Sequence, residues 1–238
     1  MQTTNKVLIR QAKESLKGKW GFVVGSFLIY YLITTLISFI PKVGTYAVLI
    51  IDGPFTLGLQ LFFLSIARNQ EAKIEQIFSG FKQFIRALVA YSLMILYIAL
   101  WSVLLIVPGI MAALSYSMIF CILNDEPAIG VASALKKSKE MMNGNKWKYF
   151  KLLLPFLIIP LIFVFVLVVV ITIATINHDQ ATILKLTSFE DSIYGKLVIS
   201  SIYVLLSWSF VWMYISSAKF YDDIKPKAIK TVTELEPA

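Results

Sequence analysis

The sequence predicts an all-α membrane protein: one integral membrane domain, residues 1–238, with six transmembrane helices as three hairpins, each preceded by a cytoplasmic amphipathic helix. Hydrophobic residues make up 58% of the 238 residues and charged residues 15%, against about 45–50% and about 25% in ordinary soluble domains. One soluble core of this size could not bury that apolar excess, because it still needs a polar surface. Long uncharged stretches also recur along the chain, and basic residues cluster in alternate connecting segments.

The first hairpin is predicted from two apolar stretches, residues 20–40 and 45–67, joined by a Pro-Lys-Val-Gly turn. Each has about the twenty residues that a helix needs to cross the hydrocarbon core. The first stretch is too long for a signal peptide and no small-residue cleavage site follows it, so we expect a retained span. Residues 3–19 place Leu8 and Leu16 on one stripe and basic residues opposite, which predicts an amphipathic helix in the headgroup region.

The second hairpin is predicted from the 38 uncharged residues between Arg86 and Asp125. That stretch is too long for one crossing and long enough for two. A Pro-Gly pair supplies the break between them, which gives spans of residues 87–107 and 109–123. Ahead of these spans, residues 71–83 carry apolar side chains at helical spacing, which predicts a second short surface helix.

The third hairpin is predicted to comprise residues 152–176 and 197–218, joined by a polar loop that contains His178. Its amphipathic helix is expected to begin at Pro127, because proline is tolerated in a first helical turn and the two acidic residues before it favour a helix N-terminus. Gly144 is expected to take a positive φ where the chain turns into the fifth span.

The distribution of basic residues predicts the orientation. Nineteen of the 22 Lys and Arg residues lie in segments that the six spans place on one side, and only Lys42, Lys185 and Lys196 lie on the other. The positive-inside rule then puts both termini in the cytoplasm of a cell-membrane protein. Because the basic residues alternate by loop, the net charge of +8 indicates contact with the anionic inner leaflet rather than with nucleic acid.

A threefold repeat of one amphipathic helix and two spans runs along the chain. The Gly-Lys-Trp sequence that ends at Trp20 matches the Gly-Asn-Lys-Trp sequence that ends at Trp147, with one inserted residue. Repeats in transporters are usually inverted in topology or two in number. Three parallel repeats therefore count against a secondary transporter.

Several motifs in this order resemble a bacterial integral-membrane family known as domain-of-unknown-function family 975. They are LKGKW at 16–20, WSVLLIVPGI at 101–110, YSM at 116–118, LNDEP at 123–127, ALKKS at 134–138, MNGNKW at 142–147 and AKFY at 218–221. The resemblance implies six helical spans, the cytoplasmic membrane and a Gram-positive bacterium as source. It also implies a distant relation to the membrane domain of some glycerophosphodiester phosphodiesterases, and it implies no reaction.

Catalytic chemistry has little support in the sequence. Cys121 is the only cysteine and is predicted at the inner end of a span, whereas the only histidine is predicted in an outer loop. A phosphodiesterase would need a set of acidic and histidine metal ligands that the chain lacks. We therefore expect no enzyme activity, no metal and no cofactor.

The basic helix before the fifth span is the first candidate site. Its lipid- or partner-binding residues are Lys136, Lys137, Lys139, Lys146, Trp147 and Lys148. Each basic residue near an anionic surface contributes about 1 kcal/mol, so these lysines could hold lipid headgroups or an acidic protein partner in the membrane. The alternative is that they only set the topology. The apolar side chains of Leu135 and Met142 are expected to face lipid or the helix bundle.

A second candidate is an intramembrane polar site at Asp52 and Gln60. A carboxylate at the bilayer centre costs about 2.5–3.5 kcal/mol on insertion scales and is usually functional. The alternative is that Asp52 ends a loop near the outer surface, beside a Gly-Pro pair.

Two functions remain open. The first is a non-enzymatic protein that engages lipid or a partner, in envelope homeostasis or protection against membrane-active peptides. The second is a transporter or permease-like component for a small or lipidic substrate.

Overall fold

The computed structural model describes residues 3–176 and 193–225, and this part of the chain contains helices and turns without a β-strand. Its α-helices are α1 Asn5–Ser15, α2 Trp20–Ser38, α3 Gly44–Ala67, α4 Phe84–Leu104, α5 Ile106–Tyr116, α6 Ile119–Asp125, α7 Val131–Met141, α8 Lys146–Ile176 and α9 Ile193–Ile224, and a 3₁₀ helix covers Ile74–Gln83. His178, Lys185 and most of the loop predicted around them lie outside the described residues.

Four helical stretches of the described chain are long and apolar enough to cross a membrane, which indicates a membrane location. They are Trp20–Ser38, Tyr46–Ala67, Ile74–Leu104 and Ile106–Asp125. The predicted fifth span falls within α8 and the predicted sixth span within α9. The helix α9 continues to Ile224, past the predicted end of the sixth span at residue 218. The segment predicted as a charged tail is therefore helical for its first turn and a half.

The central helix is α3, which packs against α2, the 3₁₀ helix, α4, α6 and α9. Its C-terminal half is buried, with Phe62 and Phe63 fully covered, while its N-terminal half exposes Tyr46 and Leu49. Apolar side chains are also exposed where α4 meets α5, up to 87% at Val103. Such uncovered apolar surface suits hydrocarbon and would be unusual in water. The tightly packed core therefore lies at one end of the helices.

The second predicted span is one unbroken helix, because α3 is continuous through the Asp-Gly-Pro sequence at residues 52–54. Membrane helices tolerate such a proline when neighbouring groups satisfy the freed backbone. The glycines of this region serve close packing instead. A Cβ at Gly53 would lie 2.8 Å from the carbonyl oxygen of Ala87 in α4, and one at Gly58 would overlap the carbonyl of Ile77 in the 3₁₀ helix.

The break in the second hairpin lies at Leu105, whose φ of −165° and ψ of 152° are extended, and not at the predicted Pro-Gly pair. Pro108 instead occupies the first turn of α5, where its missing N–H costs no helical hydrogen bond. The returning segment also bends between α5 and α6. The hydroxyl of Ser138 in α7 fills this bend: it donates to the carbonyl of Ser115 at 2.8 Å and accepts from the N–H of Met118 at 3.2 Å.

The prediction that the third amphipathic helix begins at Pro127 is wrong, since α7 begins at Val131. The guanidinium of Arg86 donates to the carbonyl oxygens of Glu126 and Ile129 at 3.1 and 2.8 Å. Those carbonyls are held by α4, so residues 126–130 form a turn and an extended segment rather than a first helical turn. The acidic residues before Pro127 consequently do not cap α7.

The apolar sides of α1 and α7 are covered by protein. Leu8 and Leu16 are buried in the common core, where α1 packs against α9. Met142 is fully buried and Leu135 nearly so. Of the two predicted surroundings, these side chains therefore face the helix bundle and not lipid. Gly18 and Gly144 both have positive φ, 75° and 76°, so the conformation predicted for Gly144 is confirmed and the related turn before Trp20 shares it.

Candidate lipid- or partner-binding site

The structure separates the six predicted residues of the basic segment. Lys136 is exposed and lies 4.0 Å from Glu140, one turn along the same helix, while Lys137 forms an ion pair with Glu126. Exposed pairs of this kind contribute about 0–1 kcal/mol, but each carboxylate offsets part of the local positive charge. These two lysines are therefore less available to an anionic ligand than the sequence indicates.

Lys148 turns inward, toward α9. Its ammonium lies 2.8 Å from Asp223 of α9 and 5.4 Å from the ring centroid of Phe220. Asp223 also accepts from the hydroxyl and the N–H of Thr3, at 2.6 and 3.0 Å. Burial alone would raise the pKa of Asp223, but the hydrogen bonds from Lys148 and Thr3 outweigh it and hold that pKa below its ordinary value. Lys148 thus ties α8 to α9.

Trp147 is 65% exposed, stacks on Phe150 with ring centroids 5.4 Å apart, and has the ammonium of Lys151 at 5.2 Å from its ring. An exposed tryptophan flanked by lysines at the start of an apolar helix is typical of a membrane–water interface.

Lys139 and Lys146 line a cavity of about 180 Å³ between α4, α5, α7 and α8. Its other lining residues are Trp101, Pro108, Met111, Ala112, Ser115 and Tyr116. Neither lysine forms an ion pair within the described chain. The apolar wall was not predicted, because Trp101 and Tyr116 come from the preceding hairpin and no local sequence pattern joins them to the lysines.

A network of charged groups connects the ends of α3, α6 and α9. The guanidinium of Arg68 donates to Asp125 at 2.8 and 2.9 Å and to Asp222 at 2.6 Å. Asp125 also accepts from the ammonium of Lys225 at 2.6 Å and from the hydroxyl of Tyr221 at 3.2 Å. Its hydrogen bonds to Asp125 and Asp222 raise the pKa of Arg68 above its ordinary value. We name these five residues the inner charge cluster.

The inner charge cluster has two cations and two carboxylates, so its formal charges balance. The sequence predicted that Asp125 favours a helix N-terminus; in the structure its carboxylate is taken by Arg68 and Lys225. Among the described residues, no three His, Cys, Asp or Glu side chains lie close enough together to hold a metal ion. The hydrogen bonds of the cluster connect the ends of α3, α6 and α9.

Asp52 lies within α3, inside the candidate span Tyr46–Ala67, and does not end a loop. Its carboxylate accepts from the hydroxyl of Tyr30 in α2 at 3.2 Å and from that of Tyr91 in α4 at 3.4 Å. Neither tyrosine was predicted, although a carboxylate in an apolar span needs donors from its neighbours.

Gln60 is two turns further along α3 and donates to the sulfur of Cys121 at 2.9 Å. Since Asp52 and Gln60 have different partners, the structure does not bring them into one site.

A family model described as "Protein of unknown function (DUF975)" matches residues 1–111 and 103–228 of the chain. No curated protein and no solved structure matches the chain.

Proposed function

Given that the chain belongs to the DUF975 family, as its motifs predict, we propose that it is a non-enzymatic multi-pass protein of the cell membrane that binds anionic lipid of the inner leaflet. Its biological role on this proposal is envelope homeostasis or protection against membrane-active peptides. A membrane protein partner could engage the same basic surface.

The proposal includes six spans in three hairpins with both termini in the cytoplasm. Two long helices, α8 and α9, follow the four candidate spans and have 31 and 32 residues, more than the about twenty that a crossing needs. One short helix precedes each predicted pair: α1, the 3₁₀ helix and α7. On this layout the inner charge cluster and the basic residues share the cytoplasmic side.

The proposal rests on which lysines of the basic segment form ion pairs with carboxylates and which do not. Lys136, Lys137 and Lys148 each have a carboxylate partner, whereas Lys139 and Lys146 have none in the described part of the chain. These two ammonium groups face a cavity next to uncovered apolar surface. An anionic lipid fits this combination, because its headgroup is negatively charged and its acyl chains are apolar.

We expect phosphatidylglycerol to raise the melting temperature of the purified protein in detergent more than phosphatidylcholine does at equal concentration. A ligand that binds only the folded state stabilises it by mass action. Raising the salt concentration should remove part of the difference, because exposed charges are screened. Equal effects of the two lipids at low salt would contradict the proposed lipid preference.

The proposed topology predicts which positions an impermeant thiol reagent can reach. In a Cys121→Ala background, single cysteines at Lys42 and His178 should be labelled from outside intact cells, and those at Lys73 and Lys139 only after permeabilisation. Labelling of the Lys139 position from outside would overturn the layout.

Transport is the second candidate function, and Asp52 is the observation that favours it. A carboxylate held by two tyrosine hydroxyls within a candidate span is the kind of group that transporters use to bind ions or protons. A flux assay in reconstituted vesicles separates the two functions. Substrate flux through the parent that is lost in the Asp52→Asn variant would favour transport. If the parent shows no substrate flux, lipid binding is favoured.

A further inference from the structure

We propose that the cavity between α4, α5, α7 and α8 is a binding site for one anionic phospholipid, whose phosphate lies between the ammonium groups of Lys139 and Lys146. This inference rests on the proposed function and adds the site, its lining and the part of the lipid that each wall contacts. The cavity is bounded by two different surfaces, one cationic and one apolar.

The cationic surface comes from two elements that meet at the turn of Gly144. Lys139 is exposed near the end of α7, and Lys146 is partly buried at the first residue of α8. The position of Lys139 is fixed by its neighbour Ser138, because the fully buried Ser138 hydroxyl bonds to the backbone of Ser115 and Met118 at the bend between α5 and α6. The lysine next to this attachment therefore borders the cavity while it remains exposed.

The charge of this surface is not neutralised locally. The nearest acidic residue in sequence, Glu140, is directed to Lys136, and Glu126 is directed to Lys137. Two ammonium groups at one cavity favour a ligand with a compact negative charge, and a phosphate diester has one.

The apolar surface extends the site away from the lysines. Trp101, Pro108 and Met111 line the cavity, and the segment between Trp101 and Pro108 exposes Val103 by 87% and Ile106 by 79%. A hydrocarbon chain could thus leave the cavity along continuous apolar surface. A polar phosphate compound without such a chain would make no contact with the apolar side of the cavity.

The cavity volume fits part of a lipid. At about 180 Å³ it is smaller than the about 300–1,000 Å³ of pockets that enclose whole small ligands. It can hold a phosphate and the adjoining glycerol, with the acyl chains outside against α4 and α5. The ligand is therefore an amphiphile that is only partly enclosed.

Native mass spectrometry of the full chain released from detergent with phosphatidylglycerol tests this site. The parent should retain one phosphatidylglycerol molecule. The double variant Lys139→Gln/Lys146→Gln should bind it at least about tenfold more weakly, since each basic residue near an anionic lipid contributes on the order of a several-fold change in affinity. The matched control, Lys17→Gln/Lys82→Gln, removes the same net charge from exposed positions outside the cavity and should bind as the parent does.

A second variant, Met111→Trp, fills the apolar side of the cavity without changing any charge and should also weaken retention of the lipid. Far-ultraviolet circular dichroism checks that each variant is folded.

Glycerol phosphate, which lacks acyl chains, should not displace the lipid at equal concentration. Displacement by glycerol phosphate, or equal binding by the parent and the cavity double variant, would overturn the site. If that equality occurs while the parent still prefers phosphatidylglycerol, only this inference fails. If the parent shows no preference, the proposed function fails with it.

Discussion

Replacing Arg68 with Ala should lower the stability of the protein by about 3 kcal/mol. The change leaves Asp125, whose side chain is only 9% exposed, with Lys225 as its remaining cation and leaves Asp222 without its guanidinium partner. Breaking a buried ion pair from one side costs about 3–5 kcal/mol. We expect the lower end because the Arg68 side chain is 27% exposed and partly screened by solvent. Thermal denaturation in detergent measures the change.

Two further variants identify the cause. Arg68→Lys keeps the charge but cannot donate to both carboxylates with a planar fork, so it should recover only part of the stability. Arg10→Ala removes an exposed arginine that lies 3.8 Å from Glu14 and should have almost no effect. If Arg68→Ala and Arg10→Ala denature at the same temperature, the inner charge cluster does not hold the helix ends together.

The second large effect is expected at Gly58. An alanine Cβ there would overlap the carbonyl carbon and oxygen of Ile77, which are backbone atoms of the 3₁₀ helix and cannot rotate away. Overpacking of side chains costs about 1–3 kcal/mol, and a clash with backbone should reach or exceed the upper value because α3 and the 3₁₀ helix must separate. The variant Gly58→Ala should therefore denature at a clearly lower temperature than the parent.

Gly25→Ala is the matched control. Its added Cβ would meet no atom within 4 Å, and alanine favours a helix interior over glycine by about 0.5–1 kcal/mol. This variant should be as stable as the parent or more so. A stable Gly58→Ala variant would show that the close approach of α3 to the 3₁₀ helix is not needed for the fold.

The sequence predicted features that depend on local composition and periodicity. The apolar stretches at Trp20–Ser38 and Tyr46–Ala67 are helical and long enough to span, and Gly144 has the positive φ expected of its turn. These features follow from hydrophobic length and from the conformational freedom of one residue. The family membership followed from motifs in order, and the family match confirms it.

The predictions that failed depend on contacts between distant segments. The start of α7 is set by Arg86, 40 residues or more from the carbonyls that it binds, and no pattern around Pro127 reveals that. The Asp-Gly-Pro sequence lies inside α3, and Gly58 of that helix packs against the carbonyl of Ile77, 19 residues away in the 3₁₀ helix. The lysines of the candidate site look equivalent in sequence, and their ion pairs with Glu140, Glu126 and Asp223 distinguish three of them from the other two.

The inner charge cluster also has a consequence for biosynthesis. Asp125 is translated 57 residues after Arg68, but Asp222 follows Arg68 by 154. At about 5–20 residues per second, the nascent chain spends about 5–20 s with Arg68 and Asp125 as an isolated pair at the ends of α3 and α6. The end of α9 and the residue that follows it then supply Asp222 and Lys225 together. Emergence of that segment from the ribosome is consequently the event that completes the connection between the ends of α3, α6 and α9.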